Sequence, residues 1–324
     1  MLNKKKIITS IAFVVLTFGC CLLCISKQAE AKKPAALHVK GTNLVNSKGK
    51  KVVLKGVSTH GIAWFPDYVN KACFKSFKKM GANTIRLALY SDVNAGYNRN
   101  LYSKVDAGVK AATDLGMYVI IDWHILNDSN PKTNESEARH FFKYFTKKYG
   151  NYSNVLYEIC NEPNGGATWE NDIKPYAKRM IKLIRKNAKK APIIVGTPTW
   201  SQDVDIVANS PIKTDKNLLY TIHFYAATHQ DDLRNKVKTA LSKGLPVFCS
   251  EFSICEASGN GRLDKKSAKA WKKLFNKYKI GRVAWSVCNK DEASALLKSS
   301  TKTTKKIKKK HLSKAGKWIM KNMI

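Results

Sequence analysis

Two glutamates, Glu162 and Glu251, stand at the ends of short apolar runs, in the strings NEP and SEF. A pair of carboxyl groups converging on one point can divide acid–base work and nucleophilic attack between them, provided one stays ionised while the other keeps its proton. Arg86 is the cation placed to hold Glu251 charged, and Tyr225 can donate a hydrogen bond to it. Glu158, four residues before Glu162, shares its strand parity and reads as a support deeper in the fold.

The same placement recurs along the chain. Eight apolar runs end in STHG, IRLALY, DWH, NEP, TPTWSQD, HFYA, SEF and AWS, and nearly all of these ends carry a group able to bind or react with a sugar. His60, His124 and His223 come from three of them, and two further aromatic residues, Trp200 and Trp285, from two others. Flat aromatic faces suit the C–H faces of sugar rings. Trp123, Trp271 and Trp318 lie in apolar strand-like or helical contexts and read as core.

Such residues converge only if the elements behind them are arranged in one way. Strands are expected near 52–57, 83–89, 118–122, 155–160, 193–196, 218–223, 247–250 and 283–286, with helices such as 101–115, 135–149, 172–190, 231–243, 265–279 and 312–323. This alternation predicts an α/β fold with a parallel sheet. Eight units in 293 residues make a single-domain (β/α)8 TIM barrel over 32–324 the simplest topology, since that fold needs about 250 residues and assembles its site at the C-terminal strand ends. An open doubly wound sheet is the runner-up, but no G-x-G-x-x-G follows the first strand. A short N-terminal β-hairpin, LHVKGTNLVNSKGKKVVL, is expected to turn at Ser47–Gly49.

Lys4–Lys6, the apolar run Ile7–Ile25 and Ala29-Glu30-Ala31 have the three-part pattern of a signal peptide over residues 1–31, so the chain is expected to be secreted, with no membrane attachment after cleavage at Ala31; an uncleaved anchor helix is the alternative. Beyond it, Cys73, Cys160, Cys249, Cys255 and Cys288 are an odd set, and three of them sit in or beside apolar strand-like runs; they read as small buried hydrophobes, and no C-x-x-C suggests zinc. Formal charge is +35, carried by 50 lysines and only 8 arginines. Base readers rely on arginine, so no specific nucleic-acid partner is expected; electrostatic adhesion to polyanions such as anionic cell-wall polymers is the cautious reading. Seven lysines fall between Lys298 and Lys310, and repulsion among them predicts an exposed, mobile loop.

Taken together, the eight strand ends resemble glycoside hydrolase family 5, in particular its bacterial cellulase branch, from about Leu37 to Ile324. The resemblance implies a retaining endo-β-1,4-glucanase with β-1,4-glucan as partner, monomeric, with no cofactor and no metal. It implies Glu162 as acid/base and Glu251 as nucleophile, with Arg86, His124, Asn161, His223 and Tyr225 in support. His60 joins the substrate site; Trp285 matches the platform beneath the sugar at the cleavage point; Trp64, Tyr90 and Trp200 match positions lining the non-reducing side. Lys290 and Glu292 match the pair that grips the next glucose outward, which favours a glucanase over the alternative of a mannanase or a mixed-linkage or xyloglucan hydrolase on the same scaffold. An inactive glycan-binding or wall-binding protein is the reading from another class, and the intact carboxylate surroundings oppose it.

Overall fold

The computed structural model describes residues 34–324, so the leader expected over 1–31 lies outside the described residues. Eight parallel strands close into a barrel in the order β10-β3-β4-β5-β6-β7-β8-β9. They are β3 (Lys55–Thr59), β4 (Thr84–Tyr90), β5 (Tyr118–His124), β6 (Val155–Glu158), β7 (Ile193–Val195), β8 (Leu218–Tyr225), β9 (Val247–Ser253) and β10 (Arg282–Val287). No helix among the described residues is long and apolar enough to cross a membrane.

Alternation along each strand explains the layers. Ile85, Leu87 and Leu89 of β4 face outward into the core shared with the helices, while Arg86, Ala88 and Tyr90 belong to the inner side. The outer helices are amphipathic: α1 (Lys71–Lys79), α2 (Tyr102–Asp114), α3 (Glu135–Tyr149), α4 (Lys174–Arg185), α5 (Val204–Asn209), α6 (Asp231–Ser242), α7 (Lys265–Tyr278) and α8 (Lys314–Asn322). In α1, for example, Cys73, Phe74 and Phe77 are buried while the lysines face out, and the Asn70 side chain caps the first turn by accepting from the Cys73 N–H at 2.8 Å. All five cysteines of the barrel are buried and free, as small core groups.

Two expectations need correction. The hairpin pairs β1 (Leu37–Lys40) with β2 (Asn43–Asn46) and turns at Gly41–Thr42, where Gly41 has φ +58°. The turn expected at Ser47–Gly49 is a second one, closing a single bridge between Val45 and Lys51. The lysine-rich stretch is not a loose loop. Leu297 bridges Leu312, Ile307 is buried, and the Asn70 and Asn289 side chains donate to the carbonyls of Thr304 and Thr301 at 2.9 and 3.0 Å. Its lysine side chains point to solvent, where water weakens their repulsion, so the charge density does not unfold the main chain.

Candidate active site

Arg86 is the centre around which the barrel mouth is organised. It comes from β4, is fully buried, and meets three carboxylates from three other strands. Its Nε and Nη2 grip Glu158 (β6) at 2.8 and 3.1 Å, Nη1 donates to Glu251 (β9) at 3.1 Å, and Nη2 lies 3.0 Å from Asp122 (β5). Nη2 also donates to Asn161 Oδ1 at 2.6 Å. Burial alone would lower the arginine's pKa, but Asp122, Glu158 and Glu251 more than offset it and the net shift is upward.

The two candidate reacting carboxyls have different neighbours. Glu251 accepts from Arg86 and from the Tyr225 hydroxyl, at 2.9 Å. Glu162, one residue past Asn161, meets His223 Nδ1 at 2.9 Å. Burial pushes Glu162 up to about 8. Burial and the nearby Glu162 push Glu251 up as well, to about 7, against the opposing pull of His223, Arg86 and Tyr225. Oxygens of the two carboxyls approach within 4.8 Å.

The hydrogen-bond chain behind His223 fixes its tautomer. Ser250 Oγ donates to Glu158 Oε1 at 2.7 Å, which uses its only proton. His223 Nε2, 2.8 Å from Ser250 Oγ, must therefore carry the imidazole hydrogen. Burial lowers the His223 pKa to about 4, so the ring is neutral near pH 7 and Nδ1 is an acceptor. A protonated Glu162 can donate to it. On the other side His124 Nδ1 lies 2.7 Å from Asp122 Oδ2, and its Nε2 lies 3.3 Å from the Asn161 amide nitrogen, which also donates to the Ile125 carbonyl. Burial raises Asp122 to about 7, against Arg86.

Above this layer a cavity of about 620 Å³ opens to solvent. Twelve of the fourteen residues singled out from the sequence line it: His60, Trp64, Tyr90, His124, Glu162, Trp200, His223, Tyr225, Glu251, Trp285, Lys290 and Glu292. Arg86 and Asn161 lie beneath, fully buried. Trp285 stacks on His124 with centroids 5.1 Å apart and planes at 12°, and His60 packs on it at 5.1 Å. Lys290 and Glu292 form an ion pair, and Ser294 donates to Glu292.

Trp64 follows β3 and Trp200 follows β7, four strands apart in a closed ring of eight, so they reach the cavity from opposite sides of the barrel. Trp64 packs on Tyr90 (4.9 Å) and His60 (5.4 Å), whereas the Trp200 N–H donates to Pro163 O at 3.0 Å, beside Glu162. Both indoles are about half exposed (49% and 46%), unlike Trp285, which is buried in the floor of the cavity. Trp200 rides on a turn in which Thr199, Trp200 and Ser201 all have φ between 54° and 57°. Left-handed backbone costs a non-glycine residue roughly 1–2 kcal/mol, and here hydrogen bonds impose it. Ser201 Oγ donates to Asn161 O at 2.7 Å and accepts from the Thr197 N–H at 3.2 Å. Gly196, just below, has no room for a side chain, since a Cβ would sit 2.0 Å from Cys160 O.

Asp122, Ser250, Gln202 and His229 were not singled out from the sequence, though the first two support the reacting groups and the last two line the cavity. The signal for Asp122 was available: it lies two residues before His124 on one strand, hence on the same face. Glu162, His223 and Glu251 also have the makings of a metal ligand set. Both His223 nitrogens are engaged, however, and Arg86 already supplies the positive charge beside Glu251, so the arrangement suits proton transfer better than cation binding.

Comparison with known proteins places this arrangement. Residues 45–291 match the family model Cellulase (glycosyl hydrolase family 5). The chain is 45% identical to an endoglucanase of Clostridium saccharobutylicum over 291 residues, covering 89% of this chain and 64% of that protein. It is 42% identical to endoglucanase A of Butyrivibrio fibrisolvens, covering 88% and 67%. The chain thus spans about two thirds of the length of these curated relatives. Among solved structures, the catalytic domain of Thermobifida fusca endoglucanase Cel5A superposes with a TM-score of 0.83 at 32% identity, covering 88% of this chain and 96% of that one. A variant of that enzyme has been solved with cellotetraose, and it superposes at 0.80 with 31% identity, covering 88% and 96%.

Proposed function

The chain belongs to glycosyl hydrolase family 5, and from that premise we propose that it is a retaining endo-β-1,4-glucanase, cutting internal bonds of cellulose and related β-glucans. The observation that carries this reading is the approach of Glu162 and Glu251 to within 4.8 Å, each with the partners its task requires. Retaining hydrolysis calls for carboxyls about 5–5.5 Å apart, whereas inversion needs a wider gap to admit water between carboxylate and sugar.

In the first step a Glu251 oxygen attacks the anomeric carbon, and Glu162 gives its proton to the glycosidic oxygen as that bond breaks. The leaving chain departs with a free hydroxyl and the sugar remains as an ester on Glu251. Arg86 and Tyr225 stabilise the attacking carboxylate. Once Glu251 is esterified its charge is gone, and Glu162, now ionised, takes a proton from water that attacks the same carbon and frees Glu251. Because Trp200 stands beside the acid, it serves the leaving-group side, and Trp64 with Lys290 and Glu292 serves the glycone side. The glycone pair supports glucan as substrate.

The test is chemical rescue with an aryl cellobioside. Glu251→Gly should be inactive and, with azide, yield the glycosyl azide of inverted configuration; Glu162→Ala should yield the azide of retained configuration. Exchanged outcomes would exchange the roles. Secretion with cleavage after Ala31 belongs to the same proposal, to be checked by N-terminal sequencing of protein from the culture medium, as does a monomeric state, to be checked by sedimentation. The lysine excess supports adhesion to anionic polymers of the cell wall.

A further inference from the structure

On the outer wall of the barrel, α1 and the segment 305–309 enclose a groove of about 600 Å³ that shares no residue with the catalytic cavity. Six lysines line it: Lys75 and Lys79 from α1, and Lys305, Lys306, Lys308 and Lys309 from the segment. Lys75 and Lys79 are one helical turn apart and therefore share a face. No carboxylate lines the groove, and none of the six forms an ion pair among the described residues. Some lysines elsewhere on the surface are paired, as Lys71 and Lys110 are with Asp114, Lys148 with Asp106 and Lys174 with Glu170, while others stand as unpaired as these six.

The cluster is held together by something other than charge. Ser76 Oγ, whose proton goes to Ala72 O at 2.9 Å, accepts from the Ile307 N–H at 3.2 Å and lies 3.3 Å from Lys305 O, while Ile307 is buried. Main-chain hydrogen bonds and one apolar anchor thus keep the two rows of like charge side by side, an arrangement that costs stability unless a counter-charge occupies it. Ala72, Met80 and Ile307 supply apolar surface among the lysines.

We infer that this groove is the docking site for a flexible polyol-phosphate polymer. Lysine binds phosphate as a point charge, without the planar fork that selects carboxylates or bases. The alternation of ammonium groups and apolar surface matches a chain in which phosphodiesters alternate with short carbon linkers, and the volume takes a few repeats of a single chain. The inference rests on the adhesion proposed above and gives it one location on the molecule.

The full chain is to be compared with two variants by binding to poly(glycerol phosphate) at about 50 and about 200 mM salt, where phosphate contacts differ most in strength. One variant replaces the six groove lysines by glutamine. The other replaces six exposed lysines of α3, α4 and the turn after α4 (Lys143, Lys147, Lys178, Lys182, Lys186 and Lys189), changing the charge equally. Both should keep the parent's turnover on soluble glucan, which reports an intact fold. The groove variant should bind about tenfold more weakly than the control variant at the lower salt and show a flatter salt dependence. Equal losses in the two variants would overturn the groove while leaving general adhesion standing, whereas no binding by the parent would overturn adhesion itself. Duplex DNA bound as tightly, with the same dependence on the six lysines, would overturn the choice of polymer. If the sixfold variant loses turnover, Lys75→Gln with Lys79→Gln replaces it, with a loss of about threefold expected and no loss counting against the groove.

Discussion

The two ends of the barrel interior are built from the same strands on the same inward face, yet they have opposite chemistry. At the N-terminal end Leu54, Ile120, Leu156, Ile194, Leu219, Phe248 and Val283 fill the interior, and Leu37 and Leu44 of the hairpin join the same cluster. Two residues further along, Ile120 gives way to Asp122, Leu156 to Glu158, Leu219 to Thr221 and Phe248 to Ser250. The first layer is an apolar plug that stabilises by burial. The second gathers one arginine and three carboxylates with almost no solvent exposure, which is tolerable only because nearly every polar atom has a partner; Asp122 Oδ1 is an exception. The rigid plug keeps a charge cluster of this cost in register, and the cluster supplies the chemistry.

The strongest way to break this contrast is Arg86→Met. It leaves Asp122, Glu158 and Glu251 buried without their cation, and stability near pH 7 should fall by about 3–5 kcal/mol. Turnover on soluble glucan should fall by about a thousandfold or more, as Glu251 loses both its charge and its orientation. Calorimetry and initial rates measure the two. A variant with near-normal turnover would show that the arginine is only a structural counter-ion.

Leu156→Ala, one alternation below Glu158, is the counterpart. A cavity in the plug should cost about 2–5 kcal/mol, and below the lowered melting temperature kcat should stay within about twofold of the parent. A large drop in kcat would show that the two layers are not separable.

pH sharpens the same contrast. The folded-state pKa values of Glu162, Glu251 and Asp122 are all raised above the ordinary carboxylate range. Each therefore adds stability at acid pH that is lost as pH rises from the ordinary value, about 4, through about 7 to 8. Glu162→Gln should flatten the fall in stability between pH 5 and 8, while the Leu156→Ala penalty should be the same at both. Activity should peak between about 7 and 8, rising as Glu251 ionises and falling as Glu162 does. An optimum near pH 5 would show that the site is more hydrated than its burial implies.

Most of the barrel was legible because strand ends and periodicity are local. Helix α3 was expected at 135–149 and is found at Glu135–Tyr149, since its apolar stripe is regular and Gly150 follows it. Twelve of the residues singled out line one cavity because they sit near or past strand ends, and parallel strands place their C-terminal ends together; Arg86, earlier on its strand, lies beneath. What escaped depended on contacts between distant segments. Charge density said nothing of the hydrogen bonds of Asn70, Ser76 and Asn289 that pin the lysine segment, and strand order, not motif, decides that Trp64 and Trp200 come from opposite sides of the ring.

The left-handed turn at Thr199–Ser201 gives the smallest expected effect and tests whether the mouth is rigid as far as its rim. Ser201 Oγ holds Asn161 O, and the Trp200 N–H holds Pro163 O, so the turn grips the main chain on both sides of Glu162. Ser201→Ala leaves a buried carbonyl and a buried N–H without partners, a stability cost of about 1–3 kcal/mol. If the turn positions the acid, the catalytic loss should follow the leaving group's need for a proton. On soluble glucan, whose leaving group is a poor one, kcat/KM should fall about tenfold, but on a dinitrophenyl cellobioside, whose first step needs no proton, kcat/KM should change less than about twofold. Ser201→Thr, which keeps the hydroxyl, should restore the glucan rate in part despite the strain of a β-branched residue at positive φ. Equal losses on the two substrates would mean that the turn only supports the fold, and a loss confined to KM would mean that it serves Trp200 alone.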